Sequence, residues 1–144
     1  MQSIRGDGRR NDDALSPSTG GFPATVAAGR FVSTGAPVAS IAAVTSPQDG
    51  LTHEYRVSVV ITVTAYTSGT INAQVTYQDD NGTNRTVNIP LCADGGTYAA
   101  GANAVGQWKG SIPIRVNPNQ AITLLTAGTF TANHQGSGLI EEYR

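Results

Sequence analysis

The chain has 144 residues, about one domain's worth of polypeptide. Only 13% of them are Asp, Glu, Lys or Arg, against roughly 25% in an average soluble domain, and the net charge is −1. This excludes a nucleic-acid binder, which needs surplus Lys and Arg to displace counterions, because Lys109 is the only lysine. It also excludes a disulfide scaffold, since Cys92 is alone, and a membrane span, since neither charge-free window (57–78 and 116–140) holds the ~20 predominantly apolar residues that a bilayer requires.

Six of the nineteen charges (Arg5, Asp7, Arg9, Arg10, Asp12 and Asp13) lie in the first thirteen residues. The start, MQSIRGDGRR, has no apolar segment of the secretory kind. Up to Gly29 the chain is aperiodic and punctuated by Pro17, Gly20, Gly21 and Pro23. Such a stretch cannot bury enough apolar area to offset its ordering entropy, so residues 1–29 read as an extended N-terminal arm held by a neighbouring molecule. The arm's six charges, with Phe22 and Phe31 as apolar anchors at its base, form the expected partner-binding set.

From residue 30 to 144 the apolar period is two, the mark of half-buried strands. After a strand at 36–44, Tyr55, Val57, Val59, Ile61, Val63 and Ala65 alternate with polar residues, Val60 excepted. Ile71, Ala73, Val75 and Tyr77 repeat the pattern and run into Asp79-Asp80-Asn81-Gly82, a hairpin signal whose two central residues are expected at positive φ. The returning strand, 84–91, carries Val87, Ile89 and Leu91 inward, and Pro90 marks a strand end or a sheet edge. Further strands are expected at 104–109 around Trp108, 111–116, 121–130 and 137–143. About eight strands with frequent turns and no helical period describe a single antiparallel β-sandwich of jelly-roll type.

No catalytic, cofactor or metal site is expected. His53 and His134 lack partners at metal-pair spacing and read as loop or strand-end residues. Cys92 follows an inward run without a basic neighbour in sequence and reads as a small buried hydrophobe. Asp79-Asp80 lacks the alternate ligands of a calcium loop, and the glycines form no phosphate-binding frame. Arg5-Gly6-Asp7 matches an integrin-recognised tripeptide, but three residues match readily by chance. Asn81-Gly-Thr83 and Asn84-Arg-Thr86 fit a glycosylation pattern that has no use without a secretory signal.

The blocks Glu54-Tyr55-Arg56-Val57-Ser58-Val59-Val60-Ile61-Thr62-Val63-Thr64, Val75 to Asn81, Ile112-Pro113-Ile114-Arg115-Val116 with Ala121-Ile122-Thr123, Gly128-Thr129-Phe130, and Leu139-Ile140-Glu141-Glu142-Tyr143 resemble a module that ends many fibre, decoration and tail-associated proteins of tailed-bacteriophage virions. The resemblance covers about residues 50–144 and rests on the order and spacing of the blocks. It departs at Asn117-Pro118-Asn119-Gln120, where the pattern often has a Gly-Thr turn. It implies a non-enzymatic β-sandwich that assembles, usually as a trimer, on a capsid or tail.

From it we expect a capsid decoration, cement or head-fibre protein, made in the host cytoplasm and carried on the outer capsid surface. Its expected partners are further copies of itself and the major capsid protein, bound through the arm, with no nucleic acid, membrane or cofactor. Sparse charge suits such a role, because interface cores are depleted of charge. The alternatives are a receptor- or carbohydrate-binding module of a tail fibre or baseplate, with Trp108, Tyr98 and Tyr77 as candidate sugar-stacking rings, or a tail or connector component.

Overall fold

The computed structural model describes residues 22–143, which form ten strands and no helix. They are β1 (Ala24–Ser33), β2 (Ala42–Thr45), β3 (His53–Gly69), β4 (Asn72–Gln78), β5 (Asn84–Ile89), β6 (Leu91–Ala93), β7 (Tyr98–Ala99), β8 (Gly106–Val116), β9 (Ala121–Ala127) and β10 (Phe130–Glu142). One sheet runs β1-β10-β3-β8-β6-β7 and the other β2-β9-β4-β5, with every pairing antiparallel. Setting the short β6–β7 hairpin aside leaves two four-stranded sheets, β1-β10-β3-β8 and β2-β9-β4-β5. In this order the chain changes sheet at every connection but the β4–β5 hairpin, which is the jelly roll.

The period-two pattern sets the core. Tyr55, Val57, Val59, Ile61 and Val63 of β3 are buried, and across from them lie Ala73 and Val75 of β4 and Ile122 and Leu124 of β9. Each Ile or Leu fully removed from water contributes about 1.5–3 kcal/mol before the entropy of ordering it. Ala65, expected inward, is exposed. The β3–β10 register slips between Asn133 and His134, a bulge that reverses the alternation and turns Tyr66 toward the core instead.

Strand bounds depart from expectation in several places: the strand expected at 84–91 breaks at Pro90, the one expected at 121–130 ends at Ala127, and the one expected at 137–143 already begins at Phe130. Ala24–Gly29, assigned to the arm, form the first half of β1 and pair with Gly138–Glu142, so the folded body begins near residue 24. Small side chains explain this: a Cβ at Gly29 would lie 1.9 Å from the Ile41 carbonyl oxygen, so only glycine lets β1 sit this close to the second sheet. The strands expected at 104–109 and 111–116 are one strand, β8, that continues through Gly110. A Cβ there would meet the Pro90 carbonyl oxygen at 2.2 Å, because the chain crosses from one sheet to the other at Pro90, between β5 and β6. The strand expected at 36–44 is shorter, β2, and starts only at Ala42.

The hairpin after β4 forms, but with five residues between Gln78 and Asn84 and with Gly82 alone of its loop at positive φ. Asp79 explains the wider turn, since its Oδ1 accepts hydrogen bonds from the N–H groups of Asn81 and Thr83, both at 2.9 Å. That is an aspartate-braced loop in place of the tight two-residue turn.

Candidate functional site

Three regions outside the core gather functional side chains. The first is the outer face of the six-stranded sheet. Arg30, Ser137, Val60, Lys109, Cys92 and Tyr98 stand in one cross-strand row over all six strands. Rows of Ala28, Leu139, Ser58 and Ser111 on one side and Val32, Gln135, Thr62 and Gln107 on the other flank it. Within these rows only Arg30 and Lys109 carry charge, while Val32 and Tyr98 are each 76% exposed. Three shallow hollows of about 530, 520 and 340 Å³ divide the surface, so it is broad and gently uneven.

The second region is a crevice of about 500 Å³ on the flank of the sandwich, where β8 faces the β4–β5 hairpin. Past Lys109, β8 has no strand partner on this side, and Pro113, which lacks an N–H, occupies the unpaired edge. Tyr77, Val87, Pro113 and Ile114 line the crevice with apolar surface, and Glu54, Asp79, Asp80, Arg85 and Arg115 supply charge. Arg85 Nε donates to Asp79 Oδ2 at 2.7 Å. The N–H groups of Thr83 and Asn81, with that guanidinium, hold the Asp79 carboxyl below the usual carboxylate range. Arg115 Nε is looser, at 3.5 Å from Asp80 Oδ2 and 3.9 Å from Glu54 Oε2. Burial pushes the Tyr77 phenol up.

The third region centres on His53 at the start of β3. Its Nε2 meets Asp49 Oδ2 at 2.8 Å and its Nδ1 meets Glu142 Oε2 at 2.5 Å, so both ring nitrogens face carboxylates. Burial opposes protonation, but the hydrogen bonds and charges of Asp49 and Glu142 outweigh it and raise the imidazole above its ordinary value. The Leu51 N–H and the imidazole in turn hold Asp49 low. Burial, together with these two carboxylates, raises the neighbouring Tyr55 phenol. The cluster ties the loop before β3 to the end of β10, an ionic clasp between chain segments.

The second histidine overturns the loop reading. His134 sits mid-strand in β10, 1% exposed, with Phe31 and Phe130 edge-on to its ring at 5.2 and 5.3 Å. Thr126 Oγ1 accepts the Val38 N–H at 2.8 Å and shares a hydrogen bond with His134 Nε2 at 3.1 Å. The other ring nitrogen, Nδ1, is buried with no hydrogen-bond partner. Burial lowers the imidazole's affinity for a second proton. Phe31, expected as an anchor for a partner, is therefore a core residue, drawn inward by this aromatic cluster.

Of the other expected site residues, Phe22 is 56% exposed beside the folded body, whereas Arg5, Asp7, Arg9, Arg10, Asp12 and Asp13 lie outside the described residues. Cys92 is half-buried on the outer face opposite Lys109, a basic neighbour that the sequence order did not reveal. Trp108 belongs to the core, and its Nε1–H donates to the Ala104 carbonyl at 3.1 Å. Of the three candidate sugar-stacking rings, Tyr77 and Tyr98 remain accessible, one in the crevice and one on the broad face. Among the described residues no group of three His, Cys, Asp or Glu side chains is placed to hold a metal ion.

No protein-family model and no curated protein matches the sequence. Among solved structures, the chain is similar to the xylan-binding domain CBM22-1 of Xyn10C from Paenibacillus barcinonensis, at 9% identity and a TM-score of 0.37 over 84% of this chain and 86% of that one. It is also similar to the CBM22-1 and GH10 modules of Xyn10B from Clostridium thermocellum, complexed with xylohexaose, at 13% identity and a TM-score of 0.36 over 81% of this chain. The match spans about a quarter (26%) of that second protein. Superpositions this loose carry no functional inference.

Proposed function

We propose that the chain is a non-enzymatic structural protein of a tailed-phage virion, docking on a neighbouring virion subunit through the outer face of its six-stranded sheet. Three central rows of that face support the reading: small, hydroxylic and aliphatic side chains predominate there, with only Arg30 and Lys109 charged, whereas Glu54, Arg56, Arg115 and Glu141 charge the end of the face nearest Glu142. Low charge with exposed Val32 and Tyr98 suits a surface that is desolvated on assembly. The order of the sequence blocks from Glu54 to Tyr143 supports the virion context. Capsid decoration as a trimer is the specific role proposed, with Arg5, Asp7, Arg9, Arg10, Asp12 and Asp13 adding a tether that raises effective concentration.

The test is co-sedimentation of purified protein with particles that lack it, comparing the wild type with Val60→Glu and Ser137→Glu. Loss of binding with an unchanged circular dichroism spectrum is expected, and undiminished binding by both variants overturns the docking face. Deleting residues 1–21 tests the tether, and the deletion must stop there because β1 begins at Ala24. High copy number on the particle fits decoration, whereas a handful of copies moves the protein to the tail.

Carbohydrate or receptor binding is a second reading. It is favoured by the flank crevice, in which the Tyr77 ring lies beside Asp80, Glu54 and Arg115.

A further inference from the structure

We infer that the crevice between β8 and the β4–β5 hairpin binds one neutral pyranose ring, held by Arg115, Asp80 and Glu54 over an apolar wall of Tyr77, Val87 and Pro113. The inference rests on the carbohydrate reading and gives it a place and a ligand class.

Its volume of about 500 Å³ falls within the roughly 300–1,000 Å³ of small-ligand sites, as do the hollows of the outer face, and its charged mouth is what sets it apart. The charged groups at its mouth come as guanidinium–carboxylate neighbours. A cationic ligand drawn to Asp80 or Glu54 meets Arg115, and an anionic one drawn to Arg115 meets both carboxylates. A sugar hydroxyl suits such a pair, because it donates to the carboxylate and accepts from the guanidinium at once.

The pairs also have capacity to spare. Arg115 Nε stands 3.5 and 3.9 Å from its carboxylates, outside the 2.7–3.2 Å of a made N–H···O bond, and it is 60% exposed. Asp79, by contrast, is buried and already accepts from two backbone N–H groups on Oδ1 and from Arg85 on Oδ2, so it mainly shapes the site. Tyr77, Val87 and Pro113 give the C–H face of a ring somewhere to lie. The unpaired edge of β8 keeps the approach open, and the absent N–H at Pro113 discourages a peptide strand from pairing there.

The experiment is an amide-resolved NMR titration of the full chain with D-glucose, D-galactose, N-acetyl-D-glucosamine and L-rhamnose, with D-glucuronate and D-glucosamine as charged counterparts. At least one neutral sugar is expected to shift amides of residues 77–87 and 114–115 saturably and to bind more tightly than both charged sugars. Arg115→Ala and Asp80→Ala should each weaken that binding by about tenfold, some 1.4 kcal/mol, with the thermal midpoint unchanged. Shifts confined to the outer face of the six-stranded sheet, undiminished by either substitution, overturn this site while sparing the carbohydrate reading. A charged sugar that binds best overturns the ligand class, and no saturable shift with any of the six overturns both.

Discussion

The two flanks of the sandwich solve the same problem to different extents. On one, β1 and β2 close the seam by removing side chains: Gly29 lies against the Ile41 carbonyl, and Gly138, its cross-strand partner, lies under Leu124 and Ile41. Phe31 and His134 fill the space behind them. On the other, Gly110 lets the chain crossing at Pro90 close one half against β8 by the same device, and only in the remaining half does an aspartate-braced turn with two arginines border a crevice. Steric closeness makes a flank rigid and silent, whereas paired charge leaves a flank that water and ligands can enter.

The largest expected effect breaks the closed flank. Gly29→Val drives a side chain into backbone that has no means of yielding, and should cost about 3 kcal/mol, read as a lowered urea midpoint. A comparable loss is not expected at Gly82, where no atom lies within 4 Å of an added Cβ and the strain is one of φ alone.

The next effect depends on pH. Burial keeps His134 neutral in the fold, so below about pH 6.5 the unfolded chain binds a proton that the native state refuses. Native stability therefore falls with acidification, and His134→Leu should flatten that fall when denaturation midpoints at pH 7 and 5 are compared. His53 works with the opposite sign. Its raised value gives stability that is complete below the unfolded value and lost as pH rises through the folded one, so His53→Gln should steepen the acid loss.

Smaller effects belong to the open flank. Asp79→Ala frees the N–H groups of Asn81 and Thr83 and the Arg85 guanidinium, and should lower the midpoint less than Gly29→Val while loosening amide-exchange protection in the 79–83 loop. Because the Asp79 carboxyl is held low, its contribution persists above the unfolded carboxylate range and disappears as pH falls through its folded value. Arg115→Ala should change stability by no more than about 0.5 kcal/mol, because its ion pairs are long and exposed. A larger loss would mean that the crevice is structural.

The period of two in Tyr55–Val63 and Ile71–Tyr77 carried both the fold class and the inward face, because strand burial alternates regardless of what lies opposite. The expected strand number, about eight against ten, differs because β1 and the short β6 and β7 were missed while β8 was divided. Ala24–Gly29 looked like linker because its small side chains have no hydrophobic period, yet smallness is what β1 requires against Ile41. Gly110 looked like a break for the same reason. The bulge at Asn133–His134 carries no local signal, so His134 could not be placed in the core from its neighbours.

Of the crevice, Tyr77 and the Asp79-Asp80 turn were legible as single features. Their meeting with Glu54 and Arg115 was not, since it depends on two sheets packing so that residues more than twenty positions apart share one opening. The central rows of the outer face were legible only as a lack of charge. The cross-strand row from Arg30 to Tyr98 follows from register, which composition does not encode.

In β1 and β10, Ala24 stands directly opposite Glu142, so the folded body starts and finishes at one corner. Partners across an antiparallel pair are about 5 Å apart, which a linker of a few residues spans. The sandwich is thus nearly a closed circuit of chain: joined at that corner and opened at Asn81-Gly82, it should refold with new ends on the β4–β5 hairpin. Anything fused ahead of Ala24 and anything fused behind Glu142 would emerge side by side, at the end of the sandwich where the Tyr143 N–H bonds the Glu54 carbonyl at the border of the crevice.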